Sequence, residues 1–139
     1  MSQIMLFLIT LLLIRVCYTD IRYRIIENKC VVIILLVNIL YFFIMGKLPY
    51  LLSSVTIFAV GFFCIVCNCV GAGDIKLLTV LGMMFPLREI PDFIFLVALS
   101  GLPLILVVYG LHRFSKGKFS KTLPYGVAIT SGYLLKILM

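Results

Sequence analysis

Five acidic residues occur in this 139-residue chain, and two of them stand where a long apolar run meets a short polar gap. Asp20 follows the run 3 to 19, and Asp74 precedes the run 75 to 87. An ionisable group at the edge of an apolar segment is costly and marks a functional candidate. Two carboxyls a few ångströms apart cannot both ionise easily, so they share a proton over a wide pH range. Such a pair has the chemistry for peptide hydrolysis. The ionised member takes a proton from water as it attacks the scissile carbonyl, and the protonated member hydrogen-bonds the carbonyl oxygen and helps the amine leave. The plainer reading leaves both acids in interfacial loops, solvated or capping helices.

The elements that must position these acids are apolar helices. The chain is 64% hydrophobic and 12% charged, whereas charged residues make up about a quarter of a typical soluble domain. Apolar runs cover 3 to 19, 30 to 45, 51 to 70, 75 to 87, 93 to 112 and 123 to 139. They do not alternate as barrel strands would, and a bilayer interior demands that backbone polar groups be satisfied within each segment. The expectation is an all-α polytopic membrane protein of six transmembrane helices, forming a single domain over 1–139. The run 75 to 87 is short for a span. Ile4 to Ile14 lacks a basic leader region and a small-residue cleavage pattern, so it reads as a retained first span. Gly46-Lys47-Leu48-Pro49 interrupts two long runs and reads as a hairpin turn.

Charge then sets the orientation. Arg22, Arg24, Lys29, Lys76, Arg113, Lys116, Lys118 and Lys121 fall in alternate gaps, against Lys47, Arg88 and Lys136 in the others. By the positive-inside rule the N-terminus is outside, and the 20 to 29, 71 to 76 and 112 to 122 segments are cytoplasmic. Asp20 and Asp74 then share the cytoplasmic face, Glu89 and Asp92 lie on the other, and Arg15 snorkels to the cytoplasmic interface. The net charge of +7 is a loop property, with no basic folded surface to indicate nucleic acid. Cys64, Cys67 and Cys69 lie in an apolar stretch without the paired motifs of a structural zinc site, so no metal is expected there. His112, the only histidine, reads as interfacial.

The local sequences around the two acids narrow the choice. Asp20-Ile21-Arg22-Tyr23-Arg24-Ile25-Ile26-Glu27-Asn28 resembles the D-x-R-x-x-x-I-P-N stretch of the type IV prepilin peptidase family, and Gly71-Ala72-Gly73-Asp74-Ile75-Lys76 resembles its G-x-G-D-x-K. Pro124-Tyr125-Gly126 is similar to the family's Pro-aromatic-Gly step. Presenilins and signal peptide peptidases share G-x-G-D but pair it with a different first motif. The resemblance implies a polytopic aspartic protease with Asp20 and Asp74 as the catalytic pair, and Arg22, Asn28, Gly71, Gly73 and Lys76 as supporting motif residues. It implies a prepilin-like protein substrate, a multi-pass plasma-membrane location with the active site toward the cytoplasm, and neither metal nor cofactor. No loop is long enough for the cysteine-rich insertion or methyltransferase activity of larger members.

Several residues keep two readings. Without side chains, Gly71 and Gly73 let the backbone bend and a neighbour approach Asp74, or they serve plain helix packing. Lys76 either stabilises an ionised Asp74 or anchors the cytoplasmic side. Glu27 stands where the family has Pro; an acid at a helix N-terminus is favourable, so a helix is still expected to begin there, with Glu27 a solvated loop residue. Two other functions remain open: a small transporter or cation-binding protein using the same acids, and a non-catalytic scaffold of a pilus or secretion machine.

Overall fold

A computed structural model of the chain describes residues 3–116 and 123–139. It contains six α-helices: α1 (Gln3–Tyr23), α2 (Asn28–Ile44), α3 (Leu51–Val66), α4 (Ala72–Gly82), α5 (Ile90–Phe114) and α6 (Tyr125–Leu138). A 3-10 turn, Leu87–Glu89, leads into α5. No strand occurs among the described residues, as the all-α expectation required. Lys118 and Lys121, part of the expected cytoplasmic segment 112 to 122, lie outside the described residues.

Helix ends follow local chemistry. In α2 the chain stops at a Schellman motif: Gly46 has φ +63, its N–H bonds to the Phe43 carbonyl, and the Lys47 N–H bonds to that of Phe42. Only a residue that tolerates the left-handed region closes a helix this way, and Gly does so without a Cβ penalty. Asn68, with φ 56, closes α3 likewise, so α3 ends at Val66 rather than near 70. At the other end of the second run, Glu27 is the N-cap of α2, whose first helical residue is Asn28, as expected.

These early stops shorten the helices. Among the described residues, only α1 and the stretch Leu87–Phe114 are long and apolar enough to cross a bilayer. α2, α3 and α6 are apolar but have 17, 16 and 14 residues. α4 has 11, a length of about 16 Å against roughly 30 Å of hydrocarbon. The six helices therefore differ in reach, and α4 falls well short of a span. The exterior is strongly apolar, with Phe43, Phe63 and Phe114 at 84%, 75% and 91% exposure. Large rings turned outward in this way suit a lipid surround better than water.

α4 lies at the centre, packed on α2, α3 and α6, while α1 packs on α2 and α6 and α5 lies outside against α6. Leu77 and Leu81 of α4 are fully buried. Two side chains tie this short helix to its neighbours: Asn38 of α2 donates Nδ2–H to the Val80 carbonyl at 3.0 Å, and Ser54 of α3 donates to that of Thr79 at 2.9 Å. Interhelical hydrogen bonds of this sort act as glue where apolar contact alone discriminates poorly.

Helical periodicity aims three residues at one place. In α1 the buried stripe is Ile9, Leu13, Val16 and Asp20, spaced by four, three and four. Asp74 shares a stripe with buried Leu77 and Leu81 in α4, and Gly126 with buried Ile129 and Tyr133 in α6. Residues three or four apart lie one above another on a helix face. The three stripes form the core, and Asp20, Asp74 and Gly126 lie at one end of it. Near the other end of α6, Lys136 pairs with Glu89 at 3.5 Å and Asp92 at 3.6 Å.

Candidate active site

The end of the core that holds Asp20, Asp74 and Gly126 opens into a cleft of about 400 Å³. Asp20 and Asp74 both line it. Asn28, Gly71, Gly73 and Lys76, singled out by sequence, line it too.

Asp20 belongs to the last turn of α1 rather than to a loop after it, because α1 continues to Tyr23. It is buried, at 6% exposure. One carboxylate oxygen, Oδ2, accepts a hydrogen bond from the Gly126 backbone N–H at 2.8 Å. A Cβ at residue 126 would lie 2.8 Å from that oxygen, so the carboxylate occupies the space that a side chain there would need. The backbone carbonyl of Asp20 meanwhile accepts the Arg24 N–H at 3.0 Å and ends the helix. Arg24 takes the left-handed conformation, φ 56, at this cap. A non-glycine residue there costs roughly 1 kcal/mol, and the turn leaves Arg24 on the cleft wall.

Asp74 sits in the first turn of α4, outside the two helices long enough to span a bilayer. Its carboxyl turns back toward Gly71, the N-cap. An acid at this third position can satisfy an otherwise unpaired N-terminal donor. A Cβ on Gly71 would lie 3.0 Å from Asp74 Oδ2, and one on Gly73 would lie 3.3 Å from the Ile26 Cβ. The first glycine thus makes room for the Asp74 carboxyl itself, and the second lets the 24 to 28 loop close over the start of α4. Burial, and then the Asp20 charge, push the Asp74 carboxyl up to about 6, against the pull of the Gly71 N–H.

The structure gives three of these residues neighbours that the sequence did not show. Arg22 is not in the cleft: it donates to the Tyr18 hydroxyl at 3.4 Å and lies over the Tyr23 ring, turned outward by its place on the helix. Arg24 lines the cleft instead. Lys76 contacts neither Asp74 nor open solvent alone, since its Nζ donates to the Asn28 side-chain oxygen at 3.3 Å and joins the starts of α2 and α4. Glu27 is more than a solvated loop residue, because its carboxylate meets the Arg15 guanidinium at 3.6 Å and accepts the Cys30 S–H at 3.5 Å. That ion pair ties the 24 to 28 loop to α1 and gives Arg15 a partner.

The sequence alone gives Pro124-Tyr125-Gly126 no site role. Tyr125 and Leu123 line the cleft, as do Ile25 and Ile26, which give it apolar walls beside its acids. The Gly126–Asp20 bond joins residues 106 positions apart, and no local pattern encodes it.

The description of the type IV leader peptidase family matches residues 6–106, most of the chain and both aspartates. No curated protein and no solved structure matches. With the G-x-G-D helix start and the first acid both inside the matched region and both on one cleft, the chain belongs to the type IV leader peptidase family, a family of peptidases.

Proposed function

We propose that this chain is a multi-pass membrane aspartic endopeptidase in which Asp20 and Asp74 hydrolyse the leader peptide bond of type IV prepilin-like precursors at the cytoplasmic face. The observation that carries the reading is the placement of both carboxyls on one cleft, with the charge of Asp20 felt at Asp74. One carboxylate takes a proton from water, and the water oxygen bonds to the scissile carbonyl carbon. The other carboxyl gives its proton to the carbonyl oxygen. As the tetrahedral adduct collapses, the C–N bond breaks, the amine takes a proton from the first acid, and the second recovers its own from an adduct hydroxyl. Both carboxyls return to their starting states.

The apolar exterior supports an enzyme embedded beside the apolar stalk of its substrate, with the leader reaching the cleft from the cytoplasm. Glu89, Asp92 and Lys136 gather away from the cleft, as the charge bias of the loops requires. Transport has less support. Among the described residues Asp20 is the only buried acid, and no other acid lies along the core between it and the Lys136 cluster, which leaves a carboxylate relay without support. The deciding experiment is cleavage of a purified pilin-like precursor by purified protein. Conversion to the shorter mature form by wild type, and none by Asp20→Asn or Asp74→Asn, is the expected result. Cleavage by either well-folded variant ends the reading.

A further inference from the structure

The two carboxyls are not held alike. Asp20 accepts the Gly126 N–H at 2.8 Å, whereas Asp74 lies against Gly71 at the start of α4. Asp20 has a cation besides. Arg24, one turn further along, lines the same cleft. The other cation on the cleft wall, Lys76, is bonded to Asn28, and Asp74 faces the negative charge of Asp20.

We infer that Arg24 and Gly126 are positioning residues that keep Asp20 ionised, so that Asp20 is the base that takes the proton from water and Asp74 is the acid that holds the shared proton. The inference rests on the paired-carboxyl reading and assigns its two roles. A donated N–H at 2.8 Å and a nearby cation both favour a carboxylate over its neutral form. The elevation of Asp74 to about 6 is the counterpart, since two adjacent carboxyls divide one proton unequally when their surroundings differ.

The left-handed turn at Arg24 gains a reason from this assignment. At Arg24, φ is 56; glycine would end the helix without the cost, but it would bring no charge to the cleft. Arg22, two residues earlier, is engaged with Tyr18 and Tyr23 and serves as the internal comparison. Among the described residues, the remaining titratable groups around Asp20 are the Cys17 thiol, a turn earlier on α1, and the Tyr125 hydroxyl on the cleft wall. Neither brings a positive charge.

The test titrates each acid alone, without substrate, in the purified full chain in micelles. Infrared spectra with carboxyl-labelled aspartate follow the protonated band of Asp20 in Asp74→Asn, and that of Asp74 in Asp20→Asn, with the double variant as baseline. Asparagine keeps the shape of aspartate, with an oxygen for the Gly126 N–H, so both variants retain the local fold. Asp20 alone is expected to titrate below Asp74 alone. Adding Arg24→Gln to the Asp74→Asn background should raise the Asp20 midpoint by about half a unit or more. An amide-to-ester replacement at residue 126, made by cell-free translation, removes the N–H without adding a Cβ and should raise it similarly. Arg22→Gln should leave it in place. An Asp20 midpoint at or above that of Asp74, or one unmoved by both the Arg24 and residue 126 changes, overturns the assignment. These midpoints are read without cleavage, so they stand apart from the peptidase test, which fails only if an Asn variant still cuts.

Discussion

Gly126 donates its backbone N–H to Asp20 Oδ2 at 2.8 Å, and the position a Cβ would take at residue 126 is also 2.8 Å from that oxygen. The start of α6 therefore sets where the Asp20 carboxylate points. Gly126→Ala should force the carboxylate aside while leaving a helix-compatible residue in the first turn of α6. Cleavage of precursor should fall by about 100-fold or more, equivalent to roughly 2.7 kcal/mol in the barrier. Protein yield and helix content should stay near wild type. Full activity in Gly126→Ala would show that the Asp20 carboxylate does not need this contact.

Because the two acids are proposed to act as one unit, their losses should not add. Asp20→Asn removes one partner in proton exchange and Asp74→Asn the other, so the double variant should be scarcely worse than either single. Glu27→Gln should keep most activity: its pair with Arg15 is largely exposed, at 64% and 40% for the two side chains, and exposed pairs contribute about 0–1 kcal/mol. Asp92→Asn should also be active, being on the Lys136 cluster. Turnover measured at matched enzyme levels decides it, and loss in Glu27→Gln alone would move the chemistry to that carboxylate.

Much of this site was legible in the sequence, and the failures have physical causes. The six helices follow from the apolar runs, and Asp20 and Asp74, the acids of the two motifs, both line the cleft. The 13, 16, 20 spacing also places Asp20 on a buried face, a periodicity that reaches through the motif. The motif names Arg22 but says nothing about which way a residue turns, and the left-handed cap at Arg24 leaves that residue on the cleft wall. The role of Gly126 depends on α1 and α6 packing side by side, which only the tertiary fold decides. The shortness of α4 reflects a helix that the Gly71 N-cap begins and Met83 ends, although apolar residues continue to 87.

The two ends of the bundle should be reachable from opposite sides of the membrane. Cys67 and Cys69 are exposed, just ahead of the Gly71 turn that borders the cleft. Arg88 is exposed beside Glu89, which joins the Lys136 cluster at the other end. A membrane-impermeant maleimide should label Cys67 and Cys69 in inverted vesicles. Arg88→Cys, in a background with both cysteines changed to Ser, should be labelled in right-side-out vesicles. Labelling of both sites from the same side would contradict the proposed orientation.

Proton sharing between the acids also fixes a pH dependence with a definite sign. The Asp74 carboxyl is pushed from 3.8 to about 6, chiefly by burial and then by Asp20. Its neutral form is therefore favoured in the fold. The stability this contributes is fully present below 3.8 and is lost as pH rises through about 6. Wild type in micelles should unfold at a lower temperature at pH 7 than at pH 4.5, relative to Asp74→Asn, which has no proton to lose there. Cleavage should follow the same proton: above about 6 the pair loses its last one, and turnover should decline toward tenfold per unit, with an apparent midpoint that belongs to the pair. Parallel unfolding temperatures for wild type and Asp74→Asn across that range would show that Asp74 is not held neutral by the fold. Turnover that instead rises steadily from pH 6 to 9 would show that cleavage does not require the shared proton.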